Sequence, residues 1–176
     1  LKQVDWYGDG DPVPMFVPCE CREALLLRSR QAQSGITKEF LRKTFDNFVV
    51  VGRPEAVIRA YRVARSYVSS WEEKGVLGVS MALLGASGSG KTHLCCAVAN
   101  ELMVKGVDVV YFPYTERVRE FRQKRFDDAW QEEHRRRLKT CGLLMIDDLF
   151  KSAPDRYDFE LIFEVLNERY FEGLPF

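Results

Sequence analysis

Apolar positions recur at helical spacing over residues 54–75, where Val57, Tyr61, Ala64, Val68 and Trp71 fall on one stripe. Pro54 suits the first turn of that helix and Gly75 its stop. The next run, VSMALLG at 79–85, is short, apolar and closed by glycine, which predicts a buried strand. THLCCAVANELMVKG predicts a helix ending at Gly106, and DVVYFP a second strand. The charged stretch 115–139 predicts two helical pieces, and GLLMIDD a third strand that ends in two carboxylates. PDRYDFELIFEVLNERYFEG predicts a helix with Phe159, Ile162, Phe163, Leu166 and Tyr170 on one face. Strands alternating with helices imply a parallel sheet covered on both faces, an α/β fold. Upstream, REALLLRS reads as a short helix. Residues 1 to about 20, with Gly8, Gly10, Pro12, Pro14 and Pro18, read as loop or part of a small module.

Composition narrows the function classes only a little. The chain has 176 residues, enough for one domain with a sizeable core. Its 26 basic and 26 acidic side chains cancel, so net charge gives no argument for a nucleic-acid or membrane partner. No apolar run reaches the length of a membrane span, and the polar start does not read as a signal peptide. Five cysteines, with a vicinal pair at Cys95 and Cys96, do not form a disulfide framework; a reducing, cytoplasmic setting is expected. Because the chain begins with Leu, a preceding segment is also expected.

The chemistry concentrates in LLGASGSGKTHL, residues 83–94. Gly85, Ala86, Ser87, Gly88, Ser89, Gly90, Lys91 and Thr92 fit G-x-x-x-x-G-K-[ST] between a strand and a helix. Glycines and small residues let successive backbone N–H groups turn around an anion, and the helix start adds its unpaired N–H groups. Lys91 can reach the β- and γ-phosphates, and the Thr92 hydroxyl can ligate Mg²⁺. His93 falls in the first helical turn, where its backbone N–H counts for more than its ring. Asp147 and Asp148 close the third strand at the same sheet edge. Asp147 can hold Mg²⁺, and Asp148 can orient the attacking water.

GASGSGKTHLCCAVANEL, TFDNFVVVGRP and LLMIDDLF together resemble the AAA+ ATPases of the replication-initiation clade, most of all the DnaC/DnaI-type helicase loaders. GKTHL and TFDNF are also shared with DnaA and IstB-type ATPases. The resemblance implies a P-loop NTPase (AAA+) three-layer αβα fold with a parallel sheet. It implies an ATPase core at 36–176, preceded by a 1–35 remnant of a cysteine-containing, helicase-binding module around PCECRE. It further implies ATP/ADP and Mg²⁺ as ligands, a replicative hexameric helicase and single-stranded DNA as partners, self-association through the ATPase domain, and no membrane. Lys91, Asp147 and Asp148 take the catalytic positions, with Asp148 standing where most AAA+ proteins carry Glu. The 85–92 loop, His93, Phe48 and Val49 take the nucleotide-binding positions, the last two beside the adenine or as plain core. GLPF resembles the approach to the sensor strand, so the natural protein is expected to continue past Phe176 to the arginine finger. The chain by itself is then expected to hydrolyse ATP slowly.

Two weaker signals stay open. Cys19 and Cys21 are either free thiols or half of a Zn²⁺ site completed by ligands outside this chain. Arg117, Arg119, Arg122, Lys124, Arg125, Arg135, Arg136 and Arg137, interleaved with Phe121, Phe126 and Trp130, are either a solvated helix pair or a single-strand surface. As a whole function, the alternatives are an IstB-like transposition ATPase and a nucleotide-gated binding module with negligible hydrolysis.

Overall fold

The structure is a computed structural model that describes residues 20–75 and 77–176. Two parallel strands, β1 (Val109–Pro113) and β2 (Leu143–Asp147), pair in a register that sets Val109 opposite Leu143 and Pro113 opposite Asp147. Their alternating side chains feed two cores. Val109, Tyr111, Leu143 and Met145 face α2 (Glu55–Ser69) and α4 (Lys91–Val104). Val110, Phe112 and Leu144 face α5 (Tyr114–Gln123), α6 (Asp128–Thr140) and α7 (Arg156–Phe171). This is the expected helix–sheet–helix layering, with α4 in the middle of the first core. Leu94, Cys96, Ala97, Val98, Ala99, Leu102 and Met103 are buried around its circumference, as expected of a helix enclosed on several sides.

The helix predicted across 54–75 breaks at Ser70. The Ser69 and Ser70 hydroxyls both donate back to the Ser66 carbonyl, and a separate turn, α3 (Trp71–Lys74), follows. Before them, α1 (Glu20–Gln33) lies on α4, with Arg30 donating to the Met103 carbonyl. Cys19 lies outside the described residues. Cys21 is disulfide-bonded, and the Zn²⁺ site considered for this pair lies outside the described residues.

One expectation fails on geometry. Among the described residues, 79–85 join no strand ladder. Their backbone link to the sheet passes through the last residues: Met81 N–H donates to the Phe176 carbonyl, while Leu144 N–H donates to the Pro175 carbonyl. Pro175 and Phe176 therefore stand between β2 and the 79–85 segment. On α7, the buried face is Asp158, Leu161, Ile162, Val165 and Arg169, whereas Phe159, Phe163 and Tyr170 are exposed. Polar anchors set this rotation. Asp158 receives the Arg122 guanidinium, and the wholly buried Arg169 donates to the carbonyls of Leu138, Lys139 and Pro175. Apolar residues surround α7 almost evenly, so periodicity alone does not choose its inner face.

Candidate functional site

The loop from Gly85 to Gly90 enters α4 through left-handed backbone. Gly88 has φ 77° and Gly90 φ 100°, conformations open to glycine at little cost. At Gly90 a side chain would also strike the Phe48 ring, 2.7 Å from where a Cβ would lie. Phe48 is itself buried, stacked on Tyr61 at 5.7 Å and edge-on to His93 at 5.1 Å. It forms the floor under the glycine loop, while its neighbour Val49 is exposed. The loop's Ser87 is exposed, and Ser89 N–H closes a turn on the Ala86 carbonyl.

Lys91 reaches back over the loop, its Nζ 2.9 Å from the carbonyls of both Gly85 and Ala86. One turn of α4 does two further things. Thr92 Oγ1 donates to Asp147 Oδ1 at 3.0 Å, joining the helix to the end of β2. His93 Nε2 lies 2.9 Å from the Thr44 carbonyl and from Asn47 Oδ1. Further along α4, Asn100 Nδ2 donates to the carbonyls of Phe40, Leu41 and Lys43. His93 thereby pins the TFDNF segment to α4, and Asn100, which did not stand out in the sequence, pins the residues just before it.

Asp147 is the most heavily hydrogen-bonded group at this edge. Oδ1 also accepts the Asp148 N–H at 3.1 Å, and Oδ2 accepts the Tyr111 hydroxyl at 3.2 Å. Burial first, then the Asp147 carboxylate, pushes the Tyr111 phenol above the ordinary tyrosine range, so it stays a donor. Asp148 adopts φ 53°, and its half-exposed carboxylate pairs with Lys151 at 2.7 Å. An open cavity of about 380 Å³ adjoins it, lined by Pro113, Thr115, Glu116, Asp147, Asp148 and Lys151.

The donor set suits a magnesium–nucleotide pair. One hydroxyl and one carboxylate, hard oxygens 3.0 Å apart at the mouth of a backbone N–H loop, leave the remaining ligands to phosphate and water. Among the described residues, no cluster of three or more His, Cys, Asp or Glu would hold a metal without such help.

The basic stretch is largely spent within the chain. Arg117 pairs with Glu120, Arg122 with Asp155 and Asp158, Lys124 with Asp127, Arg135 with Glu164, and Arg137 with Asp108. Among the described residues, Arg119, Arg125 and Arg136 enter none of these pairs. Arg125 lies over the exposed Phe126 ring at 4.5 Å.

Comparison with known proteins agrees with this architecture. The family described as IstB-like ATP binding protein matches residues 71–173. In Bacillus subtilis (strain 168), the uncharacterized protein YqaM is 38% identical over 89% of this chain and 51% of its own length. The phage-like element PBSX protein XkdC of that strain is 37% identical over 92% of this chain and 62% of its own. Its replicative helicase loader DnaI is 33% identical over 93% and 50%. A crystal structure of DnaI superposes with TM-score 0.69 at 29% identity, covering 80% of this chain and 73% of that one. The fold is that of the AAA+ P-loop ATPases, and the chain spans about two-fifths to three-fifths of the curated relatives it matches. No helix among the described residues is long and apolar enough to cross a membrane.

Proposed function

The chain belongs to the IstB-like ATP binding protein family, and from its likeness to the replicative helicase loader DnaI we propose that it is the ATPase module of a replicative helicase loader. In this reading the 85–92 loop binds the phosphates of ATP or ADP, Lys91 exchanges its loop carbonyls for phosphate oxygens, and Thr92 and Asp147 hold Mg²⁺. The ion, when bound, neutralises charge on the β- and γ-phosphates. Asp148 orients a water and accepts its proton once it parts from Lys151. Phe48 supports the loop from beneath, and the exposed Val49 would contact the adenine. The 1–35 segment and the 36–176 core divide helicase contact from ATP binding. Nucleotide state alters the helicase contact, single-stranded DNA is met along the α5–α6 face, and copies associate through the ATPase core, in the cytoplasm.

The observation that carries the nucleotide reading is the meeting of Thr92 and Asp147 beside a glycine loop. The loader reading draws on 33% identity to DnaI across nearly the whole chain. A second reading, a transposition ATPase acting with a transposase on duplex DNA, is favoured by the family match over 71–173. The deciding experiment is capture of a hexameric replicative helicase by the complete protein, with and without ATP. Nucleotide-sensitive capture supports the loader; no capture in either state moves the assignment to transposition.

A further inference from the structure

The carboxylate of Asp147 has hydrogen-bond donors on both oxygens, and the Oδ2 donor comes from a residue outside the nucleotide motifs. Tyr111 sits in the middle of β1, 5% exposed, opposite Met145 in the strand register. Side chains two apart on a strand share a face, so Tyr111 lies on the Asp147 side of the sheet and reaches along it. Its own place is fixed twice: its N–H donates to the Ser34 carbonyl at 2.8 Å, and its ring meets Phe40 edge-on at 5.8 Å. The hydroxyl then donates a hydrogen bond to Asp147 Oδ2 at 3.2 Å.

A carboxylate on a short side chain turns easily about its last torsion. With Thr92 and the Asp148 N–H on Oδ1 alone, Asp147 could swing and lose its line to Thr92. A rigid donor on Oδ2 removes that freedom. We propose that Tyr111 is a positioning residue for the divalent ion, holding the Asp147 carboxylate in the plane that keeps Oδ1 against the Thr92 hydroxyl. The inference rests on the magnesium–nucleotide reading of this site. The ring packs with Phe40 whether or not the hydroxyl is present, so Tyr111→Phe removes the donor and keeps the packing.

The test is a Mg²⁺ titration of fluorescent ADP-analogue binding to the full chain, wild type and Tyr111→Phe, with a parallel series in EDTA. Outer donors to metal-holding groups typically contribute 10–100-fold in metal affinity. Tyr111→Phe is expected to raise the Mg²⁺ concentration for half-effect about 10-fold, with affinity in EDTA unchanged. A Tyr111→Phe curve that overlays the wild type overturns the proposal. So does an equal loss with and without Mg²⁺, which marks general loosening of the fold. Wild-type binding that ignores Mg²⁺ defeats the underlying reading of the site, and the Tyr111 role with it.

Discussion

Thr92 and Asp147, fifty-five residues apart in the chain, meet through a 3.0 Å hydrogen bond between the first turn of α4 and the last residue of β2. If that pair holds Mg²⁺, Asp147→Asn keeps the shape but loses the charge. A hydrogen bond to a charged group contributes about 1.5–3 kcal/mol. Nucleotide affinity in Mg²⁺ is therefore expected to fall about 10- to 100-fold, towards the value in EDTA. Isothermal titration in both buffers checks it, and an unchanged Mg²⁺ response would count against the assignment.

Gly90→Ala meets two obstacles at once, a backbone at φ 100° and the Phe48 ring 2.7 Å from the new Cβ. Left-handed backbone by itself costs a non-glycine residue about 1–2 kcal/mol. The variant is expected to lose at least that in urea unfolding. Combining it with Phe48→Leu should recover the steric part and leave the backbone part. Full recovery in the double variant would show that φ was not limiting.

Among the described residues, no carboxylate pairs with the buried Arg169; its two Nη groups donate instead to backbone carbonyls at the end of α6 and at Pro175 and to the Cys141 sulfur. The negative end of the α6 dipole favours the cation there. Arg169→Met fills the space but leaves those carbonyls unpaired, at about 1–3 kcal/mol each for groups that stay buried. A loss of roughly 3–5 kcal/mol is expected from chemical denaturation. A loss below 1 kcal/mol would mean that the carbonyls find water.

Burial pushes the Cys95 and Cys96 thiols up to about 12. At pH 8 their thiolate fraction is then roughly a thousandfold below that of an ordinary thiol. Iodoacetamide should label them only as the chain unfolds. The folded state holds these protons more tightly than the unfolded state. Their contribution to stability is therefore complete below about pH 9 and lost as pH rises towards 12. Denaturation midpoints measured from pH 8 to 11 should fall, less steeply in Cys96→Ala; rapid labelling of native protein would contradict the burial.

With Arg119, Arg125 and Arg136 outside the ion pairs described, single-stranded DNA binding through this face should show a shallow salt dependence. Three phosphate contacts give a log–log slope of about −2. Fluorescence anisotropy at several salt concentrations measures it, and Arg125→Ala with Phe126→Ala should abolish it. A slope of −5 or steeper would mean that the internal pairs open to meet DNA.

The nucleotide loop was legible because its conformation is local: glycine spacing, small residues and a following Lys-Thr specify backbone geometry wherever the loop sits. The helices at α4 and α6 and both strands were legible for the same reason, since their periods and end signals lie within the segments. Distant contacts decided the rest. Which face of α7 turns inward depends on where Arg122 and the α6 carbonyls lie, not on an apolar stripe that wraps almost all round. Whether 79–85 becomes a strand depends on a neighbouring backbone, and the described residues offer it one at Phe176. That Tyr111 touches Asp147 depends on the register of β1 against β2, a quantity that neither strand carries in its own residues. Short-range torsional preferences are written residue by residue, whereas registers, helix rotations and ion pairings are fixed only when separate segments meet.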